Sequence, residues 1–170
     1  MTNARPKEPA PAEIHLNPGD FYFGDGSVRL HTLLGSCVAI TLWHPVFRFG
    51  GMCHFMLPNR SRQEGEPLNG RYGDEAMQMF LKEIARFNTR PGEYQAKIFG
   101  GGNMFHALKE GKPSEIAMRN ITLARAALHA AGFGLCAEDV GGNGHRRIIF
   151  NLNDGSVWVR HEKKQVVSAA

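Results

Sequence analysis

Cys37 and His54 are the residues of this sequence whose types and setting best suit nucleophilic chemistry. Cys37 follows two small residues, Gly35 and Ser36, and opens an apolar run. Glycine lets a substrate approach the chain closely, and a thiol at the junction of a loop and a strand is easier to expose than one in mid-strand. A thiolate is activated by a nearby base or cation, most often an imidazole. We therefore expect Cys37 to attack a carbonyl carbon, with His54 as its acid/base partner and a depressed pKa for the catalytic thiol.

A predicted β-hairpin brings the two residues together. Residues 36–43 and 50–57 are short apolar runs, each ended by a proline-containing segment, and they flank a brief connection at 46–49. Successive side chains of a strand point to opposite faces, so Cys53 and His54 must point apart. Cys53 shares its face with Phe55 and is expected in the core. His54 then faces the other side.

Other interpretations of these residues remain open. Free cysteines are often small core residues, and a buried, hydrogen-bonded histidine is common. A metal site could draw nominally on a set of five residues, but no HxxxH or CxxC spacing is present, and Cys53 and His54 point apart. The five are His31, Cys37, Cys53, His54 and His145. The glycine clusters at 100–102 and 141–144 lack the features of a phosphate-binding loop and predict turns.

The remaining pattern predicts an α+β fold. Helices are expected from Asp74 to the Pro91-Gly92 stop and over residues 120–131, with Gly132 ending the second. Many short strands and two separated helices indicate a layered sandwich of mixed or antiparallel sheets, without the regular alternation of a Rossmann fold. Further strands are predicted at 95–99, 134–138, 147–151 and 157–161, the last two joined by a turn at Asp154-Gly155.

Bulk composition narrows the class of protein. The chain has 170 residues, 42% of them hydrophobic, and a formal net charge of +4. Its basic residues form short clusters without interleaved aromatics, which disfavours nucleic-acid binding. No apolar run is long enough for membrane insertion, and three cysteines without CxxC spacing suit a reducing compartment, so we expect a cytoplasmic protein. We expect a flexible N-terminal tail at 1–12 and a single domain at 13–170.

Several ordered sequence blocks resemble the chemoreceptor glutamine deamidase family, CheD. The resemblance spans about residues 15–160, and its motifs are highly specific in combination. The blocks are 32–39 (TLLGSCVA), 51–58 (GMCHFMLP), 71–74 (RYGD), 99–105 (FGGGNMF), 119–120 (RN) and 137–143 (AEDVGGN), followed by Arg146.

The resemblance implies a cysteine hydrolase fold similar to that of the cytotoxic necrotising factor toxins. It implies deamidation of glutamines on the cytoplasmic helices of methyl-accepting chemotaxis receptors, with no metal or organic cofactor. It also implies a CheC-type phosphatase as a possible second partner. By position, Cys37 matches the family nucleophile and His54 the family histidine. The family threonine falls on His31 when placed without gaps, one residue before Thr32, and we expect Thr32 or His31 to orient His54.

Two other functions are compatible with the same resemblance. One is a catalytically weak adaptor that docks on receptors or on a CheC-type protein. The other is a methylesterase acting on receptor glutamyl methyl esters, which would use the same acyl-enzyme chemistry.

Overall fold

The structure is a computed structural model that describes residues 6–104 and 114–163. Within these ranges the chain forms nine β-strands and two α-helices. The strands are β1 (Ala12–His15), β2 (Phe21–Asp25), β3 (Val28–Leu34), β4 (Val38–His44), β5 (Phe49–Phe55), β6 (Gln95–Gly100), β7 (Gly134–Val140), β8 (His145–Asn151) and β9 (Val157–Glu162), and the helices are α1 (Gly73–Arg86) and α2 (Glu115–Ala131).

The strands form two mixed sheets. One has four strands in the order β1-β3-β8-β9, and the other has five in the order β2-β5-β4-β6-β7. In each sheet one pair is parallel, β1 with β3 and β6 with β7, and the remaining pairs are antiparallel. The predicted α+β class with mixed sheets and two main helices is confirmed.

Two apolar cores separate three layers. The helices pack on one face of the five-stranded sheet, where Phe80 and Leu128 join Phe55 and Ile98 in a single cluster. The other face of that sheet packs against the four-stranded sheet. This second core combines one set of residues from each sheet: Leu30, Leu34, Ile148 and Phe150 from the four-stranded sheet, and Ala39, Met52 and Phe99 from the five-stranded sheet. The layer between the two sheets is the one that holds the candidate site.

The ends of α2 have clear local causes. The Ser114 hydroxyl accepts a hydrogen bond from the Ala117 N–H and caps the first turn. Gly132 ends the helix in the left-handed region, at φ 89°, where glycine carries no Cβ penalty. The helix starts five residues before the predicted boundary at residue 120, because that prediction followed the apolar spacing and not the cap.

The predicted hairpin is confirmed, with β4 and β5 antiparallel and Ala39 opposite His54. The turn at Asp154-Gly155 is also confirmed between antiparallel β8 and β9. Residues 6–11 form neither helix nor strand, and β1 begins at residue 12, the last residue of the predicted tail. Residues 1–5, Phe105 of the 99–105 block and the chain after 163 lie outside the described residues. No helix among the described residues is long and apolar enough to cross a membrane.

Candidate active site

Thr32 and His54 meet between the two sheets. Thr32 lies on β3, in the inward-facing series of Val28, Leu30 and Leu34, and His54 lies on β5 of the other sheet. Thr32 Oγ1 and His54 Nδ1 are 2.7 Å apart. Only 6% of Thr32 and 1% of His54 is exposed, so little water can compete with this hydrogen bond. The contact is therefore a fixed link between the sheets.

A second hydrogen bond of Thr32 fixes the tautomer of His54. The Thr32 hydroxyl lies 2.8 Å from the Leu16 carbonyl oxygen, and a carbonyl can only accept. Because a threonine hydroxyl has one proton, Thr32 donates it to Leu16 and must accept from the imidazole. His54 Nδ1 therefore carries its proton, and in the neutral ring the lone pair lies on Nε2.

The Nε2 atom is buried and has no hydrogen-bond partner among the described residues. Burial lowers the pKa of His54 from 6.5 to about 4, and the carboxylate of Asp20 offsets only part of this effect. His54 is thus neutral near pH 7, with a proton acceptor at Nε2. A buried acceptor without a hydrogen-bond partner destabilises the folded state. Such an atom is typical of a residue that is retained for a chemical role.

The main chain around His54 is held by the segment before β2. The His54 N–H donates to the Asp20 carbonyl at 3.2 Å, and the His54 carbonyl accepts from the Gly19 N–H at 2.7 Å. The backbone position of the imidazole is therefore set by hydrogen bonds on both of its peptide groups.

Cys37 lies on the same side of the five-stranded sheet as His54. It immediately precedes β4, in which Ala39 is directly opposite His54. Side chains alternate along a strand, so Cys37 and Ala39 share a face, and Cys37 packs against the core between the sheets. Diagonal neighbours of this kind have Cα atoms roughly 7–8 Å apart. A cysteine side chain and a histidine ring can span that separation.

The backbone at Cys37 is held by the glycine-rich segment that follows β6. The Gly101 N–H donates to the Cys37 carbonyl, and the Gly102 N–H donates to the Gly35 carbonyl, both at 2.8 Å. Gly100 has φ 107°, and a Cβ built on it would lie 2.3 Å from the Cys37 carbonyl oxygen. Only glycine permits this approach. The cluster at 100–102 thus supports the chain at Cys37.

The surroundings of Cys37 do not favour its thiolate form. Cys37 is half-buried, and this burial raises the pKa of the Cys37 thiol. The expected depression required a cationic neighbour, but His54 is neutral and supplies no positive charge.

The other predicted residues fall where strand alternation puts them. Cys53 is fully buried in the core beneath the helices, and burial raises the pKa of its thiol to about 12. His31 points away from His54, stacks on His15 with ring centroids 4.5 Å apart, and contacts Glu13. Thr32, and not His31, is the residue in contact with the imidazole. No group of three or more potential metal ligands occurs among the described residues.

Two buried polar residues escaped the prediction of the site. Arg146 is 2% exposed and donates to the carbonyls of Gly100 and Gly141 and to Asp139. Asn120 is fully buried on α2 and contacts the chain next to Cys37. For Asn120 the available signal was a polar residue within an otherwise apolar helical stripe.

The fold and site define a class: a three-layer α+β protein that holds a cysteine and a tautomer-fixed histidine on one sheet, with a threonine from the facing sheet. The model of the family "CheD chemotactic sensory transduction" matches residues 56–161. The chain belongs to this family.

Curated relatives extend the likeness across the site itself. A protein of Dechloromonas aromatica named "Probable chemoreceptor glutamine deamidase CheD 3" is 51% identical over 153 residues, covering 88% of this chain and 89% of its own. A Pseudomonas syringae pv. syringae protein named "Probable chemoreceptor glutamine deamidase CheD" is 50% identical over 157 residues, covering 92% and 88%. Among solved structures, YlmD from Geobacillus stearothermophilus matches with a TM-score of 0.46 and 13% identity, over 78% of this chain and 60% of its own.

Proposed function

We propose that this protein deamidates glutamine side chains of chemotaxis receptors to glutamates, with Cys37 as nucleophile, His54 as acid/base and Thr32 as the residue that orients His54. The names of the curated relatives support the substrate class. The observation that carries the chemistry is the hydrogen bond from His54 Nδ1 to Thr32, because it leaves an unprotonated Nε2 on the side of the sheet where Cys37 lies.

In the first half-reaction, the Cys37 thiol proton passes to His54 Nε2 as Sγ attacks the carboxamide carbon of the glutamine. The resulting oxyanion accepts a hydrogen bond from the Cys37 N–H, which donates to no backbone carbonyl among the described residues. The proton on Nε2 then passes to the nitrogen, the C–N bond breaks, and ammonia leaves a thioester on Cys37.

In the second half-reaction, water attacks the thioester carbonyl carbon while His54 Nε2 takes a proton from it. The C–S bond breaks, the proton returns to sulfur, and the product is glutamate with the Cys37 thiol restored. Nε2 is unprotonated at the start of each cycle, because burial lowers the pKa of His54 and keeps the imidazole neutral near pH 7.

The partners follow from this substrate. The glutamines lie on the cytoplasmic helices of methyl-accepting receptors, so the protein acts in the cytoplasm, and a CheC-type phosphatase is a second candidate partner. The same thioester chemistry on glutamyl methyl esters would release methanol in place of ammonia and yield the same glutamate.

One observation favours the alternative function of a receptor- or CheC-binding adaptor. Burial raises the Cys37 thiol pKa, as expected for a thiol kept for packing. The unpartnered Nε2 of His54 weighs against that function, because an adaptor has no use for a buried base.

The test is mass spectrometry of a receptor cytoplasmic fragment incubated with wild type, Cys37→Ala or Cys136→Ala. Cys136 is exposed and lies on β7, outside the site, so its variant is a matched thiol control. Deamidation is expected with wild type and Cys136→Ala, and none with Cys37→Ala. Binding without conversion by wild type would support the adaptor, and conversion of methyl esters alone would support the esterase. Full activity of Cys37→Ala would exclude the proposed nucleophile.

A further inference from the structure

Asn120 joins the two strand ends that carry the candidate nucleophile and base. Its side-chain amide donates from Nδ2 to the Ser36 carbonyl at 3.2 Å and to the Met56 carbonyl at 2.9 Å. Ser36 is the residue before Cys37, and Met56 lies two residues after His54. The β4–β5 ladder ends at the pair Val38–Phe55, so the amide bridges the two chains where their own hydrogen bonds stop.

The Met56 contact anchors the amide. The Met56 N–H donates to the Arg71 carbonyl at 2.8 Å, so the Met56 backbone is itself held in place. Since both amide protons of Asn120 are engaged by carbonyls, the side chain cannot turn to offer its oxygen to Ser36.

The contact with Ser36 fixes a peptide plane at the nucleophile. The Ser36 carbonyl and the Cys37 N–H belong to one planar, trans peptide unit, so they point in opposite directions. The carbonyl points toward α2, which packs on the helix-facing side of the five-stranded sheet. The Cys37 N–H therefore points away from Asn120 and from α2.

We infer that Asn120 is a positioning residue that aims the Cys37 N–H at the oxyanion formed when Cys37 attacks its substrate. This inference rests on the proposed function, whose oxyanion it serves. Without Asn120 the Ser36–Cys37 peptide loses the contact that defines its direction, and a rotated peptide would present a carbonyl oxygen to the oxyanion.

A packing role alone does not account for this side chain. Asn120 is fully buried, yet its Oδ1 has no partner among the described residues. A buried acceptor without a partner is unfavourable, and an apolar residue of similar volume would avoid it. What the asparagine supplies is its two N–H donors.

The experiment compares two reactions of the same thiol in wild type and Asn120→Ala. Deamidation of a receptor cytoplasmic fragment passes through an oxyanion, whereas alkylation of Cys37 by iodoacetamide does not. Loss of one oxyanion donor typically lowers kcat about 100-fold or more. We expect that loss in Asn120→Ala with KM little changed, while the alkylation rate at Cys37 and its pH profile stay within about threefold of wild type.

Two further variants separate positioning from loss of stability. Leu128→Ala removes a buried side chain from the same helix, away from both carbonyls, and should keep wild-type kcat below its melting temperature. Asn120→Asp keeps the shape but has at most one donor for the two carbonyls, so its kcat should also fall. It serves as the test if Asn120→Ala does not fold.

The outcomes distinguish the two levels of the hypothesis. If wild type does not deamidate, the proposed function fails, and the role of Asn120 fails with it. If wild type is active and both Asn120 variants keep its kcat, only the positioning role is wrong. It is also overturned if alkylation slows as much as deamidation, because Asn120 would then serve the thiol and imidazole and not the oxyanion.

Discussion

Replacing Thr32 with valine isolates the hydroxyl that fixes the His54 tautomer. The two side chains have nearly the same shape, so the substitution removes chemistry with little change in packing. It deletes the acceptor for His54 Nδ1–H and the donor to the Leu16 carbonyl. Each buried group left without a partner costs about 1–3 kcal/mol. Two groups lose their partner, so the free energy of unfolding of the variant should be roughly 2–6 kcal/mol lower than that of wild type.

The same loss bears on catalysis. Once Thr32 cannot accept, the tautomer with the proton on Nδ1 is disfavoured by the cost of an orphaned N–H, about 1–3 kcal/mol. Every 1.4 kcal/mol is about a tenfold change in population, so kcat for deamidation should fall roughly 10-fold to 100-fold. Urea unfolding measures the first effect, and mass spectrometry of a receptor fragment measures the second.

Two controls make the Thr32 experiment decisive. Thr32→Ser keeps the hydroxyl and should keep kcat near wild type, with about 1 kcal/mol lost for the buried methyl group. His31→Ala removes the neighbouring side chain that points away from His54 and should change kcat by less than about twofold. Wild-type turnover in Thr32→Val, or an equal loss in His31→Ala, would refute the assignment of the orienting residue.

Three other expectations concern His54, Cys37 and Arg146. The pKa of His54 is about 4 in the folded protein against an ordinary 6.5, so the unfolded chain binds the proton first as the pH falls. Between pH 6.5 and pH 4 the free energy of unfolding of wild type should therefore fall by roughly 3 kcal/mol more than that of His54→Gln. Urea unfolding at each pH measures this difference. Burial raises the pKa of the Cys37 thiol, so the rate of Cys37 alkylation by iodoacetamide should rise with pH through the alkaline range. A rate that is already constant at acidic pH would show that Cys37 is a thiolate there and would contradict a neutral Cys37 beside a neutral His54. Arg146→Met leaves two glycine carbonyls without a partner, so the free energy of unfolding should fall by about 2 kcal/mol or more. The denaturant midpoint measures this loss, and Arg86→Met, at an exposed position, should leave the midpoint unchanged.

The sequence predicts best where the periodicity is local and strong. The β4–β5 hairpin and α1 follow from short apolar runs and a helical stripe, and strand alternation alone separates Cys53 from His54. Those predictions hold because a one-residue slip would place the whole apolar set on the wrong face. The same rule explains Thr32: within Val28–Leu34 the buried residues alternate, so His31 has to point outward.

The N-terminal strands were less accessible to prediction. β3 carries a threonine within its buried series and an exposed Leu33, which blurs its alternation. β1 has four residues, none of them fully buried, and its parallel partner β3 is sixteen residues away in register. The tautomer of His54 was also beyond sequence patterns, because it depends on the backbone carbonyl of Leu16. A backbone atom leaves no signature in residue type.

The hydrogen bond between Thr32 and His54 crosses from one sheet to the other. The proposed deamidase activity therefore depends on the position of the two sheets relative to each other. The proposed nucleophile and base move with the five-stranded sheet, while the Thr32 hydroxyl moves with the four-stranded sheet. A slide of about 1 Å between them would break the contact while every strand remained paired within its own sheet. Turnover should therefore fail on heating before the secondary structure does. The outer face of the four-stranded sheet, though remote from Cys37, becomes a surface from which a bound partner could tune the reaction.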